Sequence, residues 1–120
     1  MLIEYFEKHS LIIQDNYNTF KTVYNAEAVH NFRISLKRIK VVLQFLEFLN
    51  DSKVLASDQI KKFKTIYKKT GRLRDIHVQI ELYKIISEEL EITDNSYFES
   101  LLKRENKSYN KLKASLKEDD

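Results

Sequence analysis

At 120 residues, with one glycine, no proline and no cysteine, the chain has room for one domain and almost nothing with which to build tight hairpin turns. An all-β fold is thereby excluded, as are a disulfide framework and a thiolate metal site. Aromatic residues at 12% argue against disorder despite 32% charged residues, and a net charge of +3 names no partner by itself.

Hydrophobic spacing predicts four helices over residues 3–24, 26–50, 58–91 and 96–117, which together form a single helical domain over 1–120. In the first, Ile3, Phe6, Ser10, Ile13, Tyr17, Phe20 and Tyr24 follow the three-and-four spacing of a bundle seam. Met1 to Glu7 mixes acids with apolar residues and lacks a basic start, so it is not a signal peptide. Asn25 reads as a cap between the first two helices, the alternative being that they run on with a kink, and the second has the apolar stripe Phe32, Leu36, Ile39, Leu43 and Leu46. Asn50, Asp51 and Ser52 end it, and Ser57 or Asp58 caps the third. That third pattern is long for one straight helix and contains Gly71, where a bend or a close backbone contact is expected. After a break at Thr93, Asp94, Asn95 and Ser96, the fourth helix packs through Phe98, Leu101, Leu102, Tyr109, Leu112 and Leu116. Short connections in one small chain predict an all-α, antiparallel four-helix bundle. No apolar run reaches membrane-spanning length, so the expected location is the cytoplasm.

The charge is unevenly placed. From His30 to Arg74 the chain carries twelve basic and three acidic residues, a net of +9, so the remainder nets −6. At about 100° per residue, His30, Arg33, Lys37 and Lys40 share one side of the second helix, opposite Phe32, Ile39 and Leu43. On the third, Lys61, Lys64, Lys68 and Arg72 form a stripe that Asp75 and Gln79 continue. If the two helices are antiparallel neighbours, the stripes merge into one surface. Arg74 projects towards the apolar side, which implies either distortion near Gly71 or partial burial with pairing, to an acid such as Asp75 of a neighbouring chain or to a carbonyl. A basic helix face is commonly just a solvated face; here the lack of compensating acids favours a polyanionic partner.

Two segments carry a resemblance. Val29-His30-Asn31-Phe32-Arg33-Ile34-Ser35-Leu36-Lys37-Arg38-Ile39-Lys40 resembles the signature of the CHAD family, the conserved histidine α-helical domain, and Gly71-Arg72-Leu73-Arg74-Asp75-Ile76-His77-Val78 is similar to that family's Gly-x-x-Arg-Asp-x-x-Val segment. The resemblance implies an all-helical fold of two four-helix bundles related by a pseudo-twofold axis, and binding of inorganic polyphosphate on a basic surface where the bundles meet. The matched positions are His30, Arg33, Lys37, Arg38, Lys40, Arg72, Arg74 and Asp75; the basic stripe adds Lys61, Lys64 and Lys68 to the expected polyphosphate site, and Asp75 is expected in a structural ion pair. The chain has about half the length of a full member and carries the His-x-x-Arg signature once. It is therefore expected to be a half-domain that homodimerises, or a piece of a longer protein. Association with polyphosphate granules is the corresponding expectation for location.

The chemistry suits a flexible polyanion: arginines offer bidentate contacts to phosphate and lysines offer point charges. His30 would donate to a phosphate when protonated, orient a neighbour, or simply sit in a polar network. Nucleic acid is the first alternative, but no recognition-helix pair, RNA-binding signature or glycine-rich phosphate loop is present. A histidine phosphotransfer bundle built on His30 is the second, and there Ile34 is bulky where a small residue is needed. Glu27-Ala28-Val29-His30 has the Glu-x-x-His spacing of di-iron bundles but occurs once, so no metal or other cofactor is expected. His9 and His77 are read as isolated structural or surface residues. With no nucleophile–base or paired-carboxylate arrangement, the chain is expected to be a binding protein and not an enzyme.

Overall fold

The chain folds into helices α1 (Leu2–Thr22), α2 (Ala26–Asn50), α3 (Asp58–Glu89) and α4 (Ser96–Glu118). A computed structural model of the protein describes residues 2–50 and 58–118, and no strand occurs among them. The expected break at Asp51 and Ser52 and the Ser57 cap lie outside the described residues, as do the side chains of Ile3, Leu46, Asn50 and Asp58. The helices gather into two compact units, Met1–Lys68 and Lys69–Asp120, so α3 contributes to both. Gly71 lies within α3 and has no positive φ.

In the first unit α1 packs against α2. Phe20 lies beside Phe32, whereas His9, further back on α1, reaches Ser35, further along α2, so the two run antiparallel. Asn25 joins them as the expected cap: its side-chain oxygen accepts the Ala28 N–H at 2.9 Å, which satisfies a donor the first turn of α2 would otherwise leave open. The core is an aromatic cluster. Phe32 meets Phe20 edge-on at 5.3 Å between ring centroids and Phe63 at 6.0 Å, and Tyr17 meets Phe20 at 5.6 Å. Such edge-to-face pairs add to the area each ring buries. Ile13, Val29, Leu36, Ile39, Leu43 and Ile66 are also buried, so the seams read from spacing on α1 and α2 do face inward.

The second unit pairs the later part of α3 with α4. Ile76, Ile80 and Leu101 form its described core cluster, with Tyr83 and Phe98 packed against it. Tyr83 stacks on Phe98 while His77, earlier on α3, reaches Glu105, later on α4; these helices are antiparallel too. Leu101, Tyr109, Leu112 and Leu116 are buried, but Leu102, expected on the same stripe, is 40% exposed. One residue on from Leu101 is a turn of about 100°, which carries Leu102 off the inward-facing seam.

The end of α3 closes without a glycine. Glu91 takes φ of 51°, and the Ile92 N–H reaches back to the Ser87 carbonyl at 2.9 Å, the arrangement that usually places glycine in the left-handed position. Asp94 then accepts the Ser96 N–H at 2.9 Å at the start of α4, and this bond holds its carboxyl below the usual range.

Two stability measurements follow from these ends. Asn25→Ala should lower the unfolding free energy by about 1 kcal/mol, read from denaturant midpoints, because the Ala28 N–H loses its acceptor. Glu91→Gly should raise it by roughly 0.5 kcal/mol, since relief of left-handed strain outweighs the added freedom of the unfolded chain.

Candidate functional site

On α2, Lys37 and Lys40 are three residues apart; on α3, Lys64 and Lys68 are four apart, and each spacing places the pair on one helix face. Within the first unit α2 faces the beginning of α3, with Arg33 at Tyr67 and Phe32 at Phe63, and Lys37, Lys40 and Leu43 border the same groove as Lys64. A groove of about 360 Å³ runs between them, lined by Leu36, Lys37, Ile39, Lys40, Leu43, Lys64, Tyr67 and Lys68. Lys37, Lys40 and Lys68 are exposed and Lys64 is half-buried. No acid is among these lining residues.

Arg33 is engaged between the two helices. Its guanidinium donates to the Tyr67 carbonyl and sits 3.8 Å from the centroid of the Tyr67 ring, a cation–π contact that fastens α2 to α3. It is half-buried, and so are His30 and Arg74. Arg38 and Lys61 are exposed but do not line the groove. Arg38 instead acts on α1, where its charge is felt by His9. Arg72 and Asp75 are exposed on the part of α3 that belongs to the second unit, which also holds Arg74. Of the residues expected at the site, the structure thus gathers Lys37, Lys40, Lys64 and Lys68 in one groove.

Tyr67 was not expected at the site. Its position three residues after Lys64 suggests a shared face, but only the packing of α2 reveals it as a lining residue of the groove. Leu36, Ile39 and Leu43 were expected only as core, and they also line it.

The two histidines read as isolated are both engaged. His77 Nδ1 lies 2.8 Å from Glu105 Oε2 and its Nε2 lies 3.0 Å from Glu81 Oε1, so the imidazole links α3 to α4 within the second unit. The Glu81 contact follows from i,i+4 spacing; the Glu105 contact needs the fold. His9 is 4% exposed, with Nδ1 at 3.3 Å from the Ser35 hydroxyl and its ring 4.4 Å from that of Tyr5. Burial, followed by the positive charges of Arg38 and Lys8, pushes its pKa below 6.5. Among the described residues no three His, Asp or Glu side chains converge to hold a metal ion, and no helix is long and apolar enough to cross a membrane.

These features define an all-α protein made of antiparallel helix pairs, with a lysine-rimmed groove in its first unit. The model of one family, the CHAD domain, matches residues 5–120, essentially the whole chain, and the chain belongs to that family. No curated protein and no solved structure matches it.

The environment of His9 sets a pH dependence. The unfolded chain takes up a proton near pH 6.5, whereas the folded protein resists doing so until its lower pKa is reached. The stability His9 contributes is therefore fully present above the unfolded value and is lost as pH falls towards the folded one. Urea midpoints of the wild type should drop as pH falls through about 6.5, and His9→Gln should flatten that drop. An unchanged slope in the variant would assign the pH dependence to other groups.

Proposed function

We propose that the chain is a non-enzymatic polyanion-binding module, and that its ligand is inorganic polyphosphate held by Lys37, Lys40, Lys64 and Lys68. The observation that carries this reading is the groove itself: four lysines from two helices along one rim, with no acid among the lining residues. Like charges gathered without compensation cost the folded chain about a few tenths of a kcal/mol per close pair, a cost that a bound polyanion reverses. Membership of the CHAD family over residues 5–120 supports it further. Polyphosphate is flexible, so the lysines need only track its charge, with no shaped subsite for each phosphate. A second copy of the chain belongs to the same reading.

Arg33 is a poor residue on which to test this, because replacing it also removes the contact to Tyr67. The exposed lysines separate charge from packing. Long-chain polyphosphate titrated into the wild type should show a log–log salt slope of roughly −3 if all four lysines meet phosphates, and Lys37→Glu/Lys40→Glu should weaken binding by more than about tenfold at low salt. Equal affinity in the two proteins would sink the proposed site. Nucleic acid displacing polyphosphate more readily than the reverse would turn the assignment towards a nucleic-acid backbone. Light scattering over a range of concentrations tests the second copy: a strict monomer that binds fully refutes it.

A further inference from the structure

In the second unit α3 is apolar on two sides. Ile76 and Ile80 belong to the core cluster shared with Leu101 of α4. Two residues on from each, about 200° round the helix, stand Val78 and Leu82. With Ile86 and Leu90 they form a ridge at successive steps of four, and its members are 37% to 67% exposed. A surface helix normally has one apolar stripe and a polar opposite face, so a second stripe calls for a second cover.

Two properties of this ridge fit it to its own copy. The first is shape. A twofold axis level with Lys84 sets Leu82 against Ile86 and Val78 against Leu90, so every member meets an apolar counterpart. The second is charge. Lys69 to Arg74, before the ridge, holds three basic residues and no acid, whereas Glu88 to Asp94, at its end, holds four acids and no base. Antiparallel pairing lays each basic end beside the other copy's acidic end; parallel pairing would set like charges together. Val41, Phe45 and Phe48 of α2 are also exposed, but that patch is shorter and bordered by the exposed cations Lys37 and Arg38.

We infer that two copies of the chain join through α3, ridge against ridge and antiparallel, with Leu82 of each against Ile86 of the other. This rests on the second copy in the reading above, gives it a surface, and needs no polyanion.

Sedimentation velocity on the full chain, from low to high micromolar, reads the contact. The wild type should pass from monomer to dimer over that range. Ile86→Glu, with helicity checked by circular dichroism, should raise the dissociation constant by more than about tenfold. Phe45→Glu, on the α2 patch, should leave it unchanged. Orientation has its own readout, because Gln79 and Glu89 are equally far from the axis and face each other between copies. Gln79→Glu should weaken the dimer by about threefold, and adding Glu89→Lys should restore it to the wild-type value or tighter. Within one chain these two positions are about 15 Å apart along the helix, so the rescue works only between copies.

A chain that stays monomeric at every concentration overturns this contact and the second copy together, and polyphosphate titrated into that monomer judges the polyanion reading separately. A dimer that survives Ile86→Glu, or one that Phe45→Glu dissolves, lies elsewhere and overturns the inference. So does a Gln79→Glu change that has no effect or that Glu89→Lys does not reverse. If Ile86→Glu loses helicity, the Gln79 and Glu89 exchange decides alone.

Discussion

The seating of α2 against the start of α3 is the contact on which the groove depends. Two side chains adjacent on α2 make it in different ways. Phe32 is completely buried among Tyr17, Phe20 and Phe63, and Arg33 closes over the ring and carbonyl of Tyr67. The aromatic cluster supplies the larger stabilisation, since truncating a buried phenylalanine costs about 3–5 kcal/mol. The arginine contact is smaller and directional. It sets where Tyr67 lies, and with it the wall shared by Lys64 and Lys68. Repulsion along the lysine rim opposes this seating, and the packing beneath it is strong enough to prevail.

This division of labour explains why the basic residues of one helix face do different things. Arg33 and Lys37 lie a turn apart, yet one is drawn into the contact between helices and the other is exposed at the groove. A guanidinium suits the first role, because its flat face lies on an aromatic ring while its edge donates to a carbonyl. An ammonium on a flexible stem suits the second, because it follows a mobile anion without a fixed geometry. Arg38, on another side of α2, acts on the buried His9 and not on the groove. Positive charge in this segment therefore occupies at least three physical settings, of which the groove is one.

Much of the architecture was legible in the spacing of apolar residues. Ile13, Tyr17, Phe20, Phe32, Leu36, Ile39 and Leu43 are all buried, and Asn25 caps α2, because helix seams and caps are local features that a helical repeat exposes directly. Leu102 shows the limit: an apolar residue next to a seam reads as part of it until the width of the partner helix is known. His9 and His77 show another. A residue that looks solitary along the chain acquires its meaning from a helix 26 or 28 residues away, Ser35 for one and Glu105 for the other. Glu91 is a third case, since a left-handed residue is sought first at glycine and the closing of α3 uses a glutamate.

The sequence by itself determined that the protein is helical, where its four helices fall to within a few residues, and that its modest net charge of +3 is the sum of a basic centre and acidic flanks. Those properties depend on residues a few positions apart and on composition, which any folded arrangement must respect. The tertiary structure decided which basic residues come together and what lies between them. Lys37 and Lys40 meet Lys64 and Lys68 at one groove only because α2 and the beginning of α3 pack against each other within the first unit. Helical projection assigns a side chain to a face of its own helix; only packing says which faces of two helices border the same space.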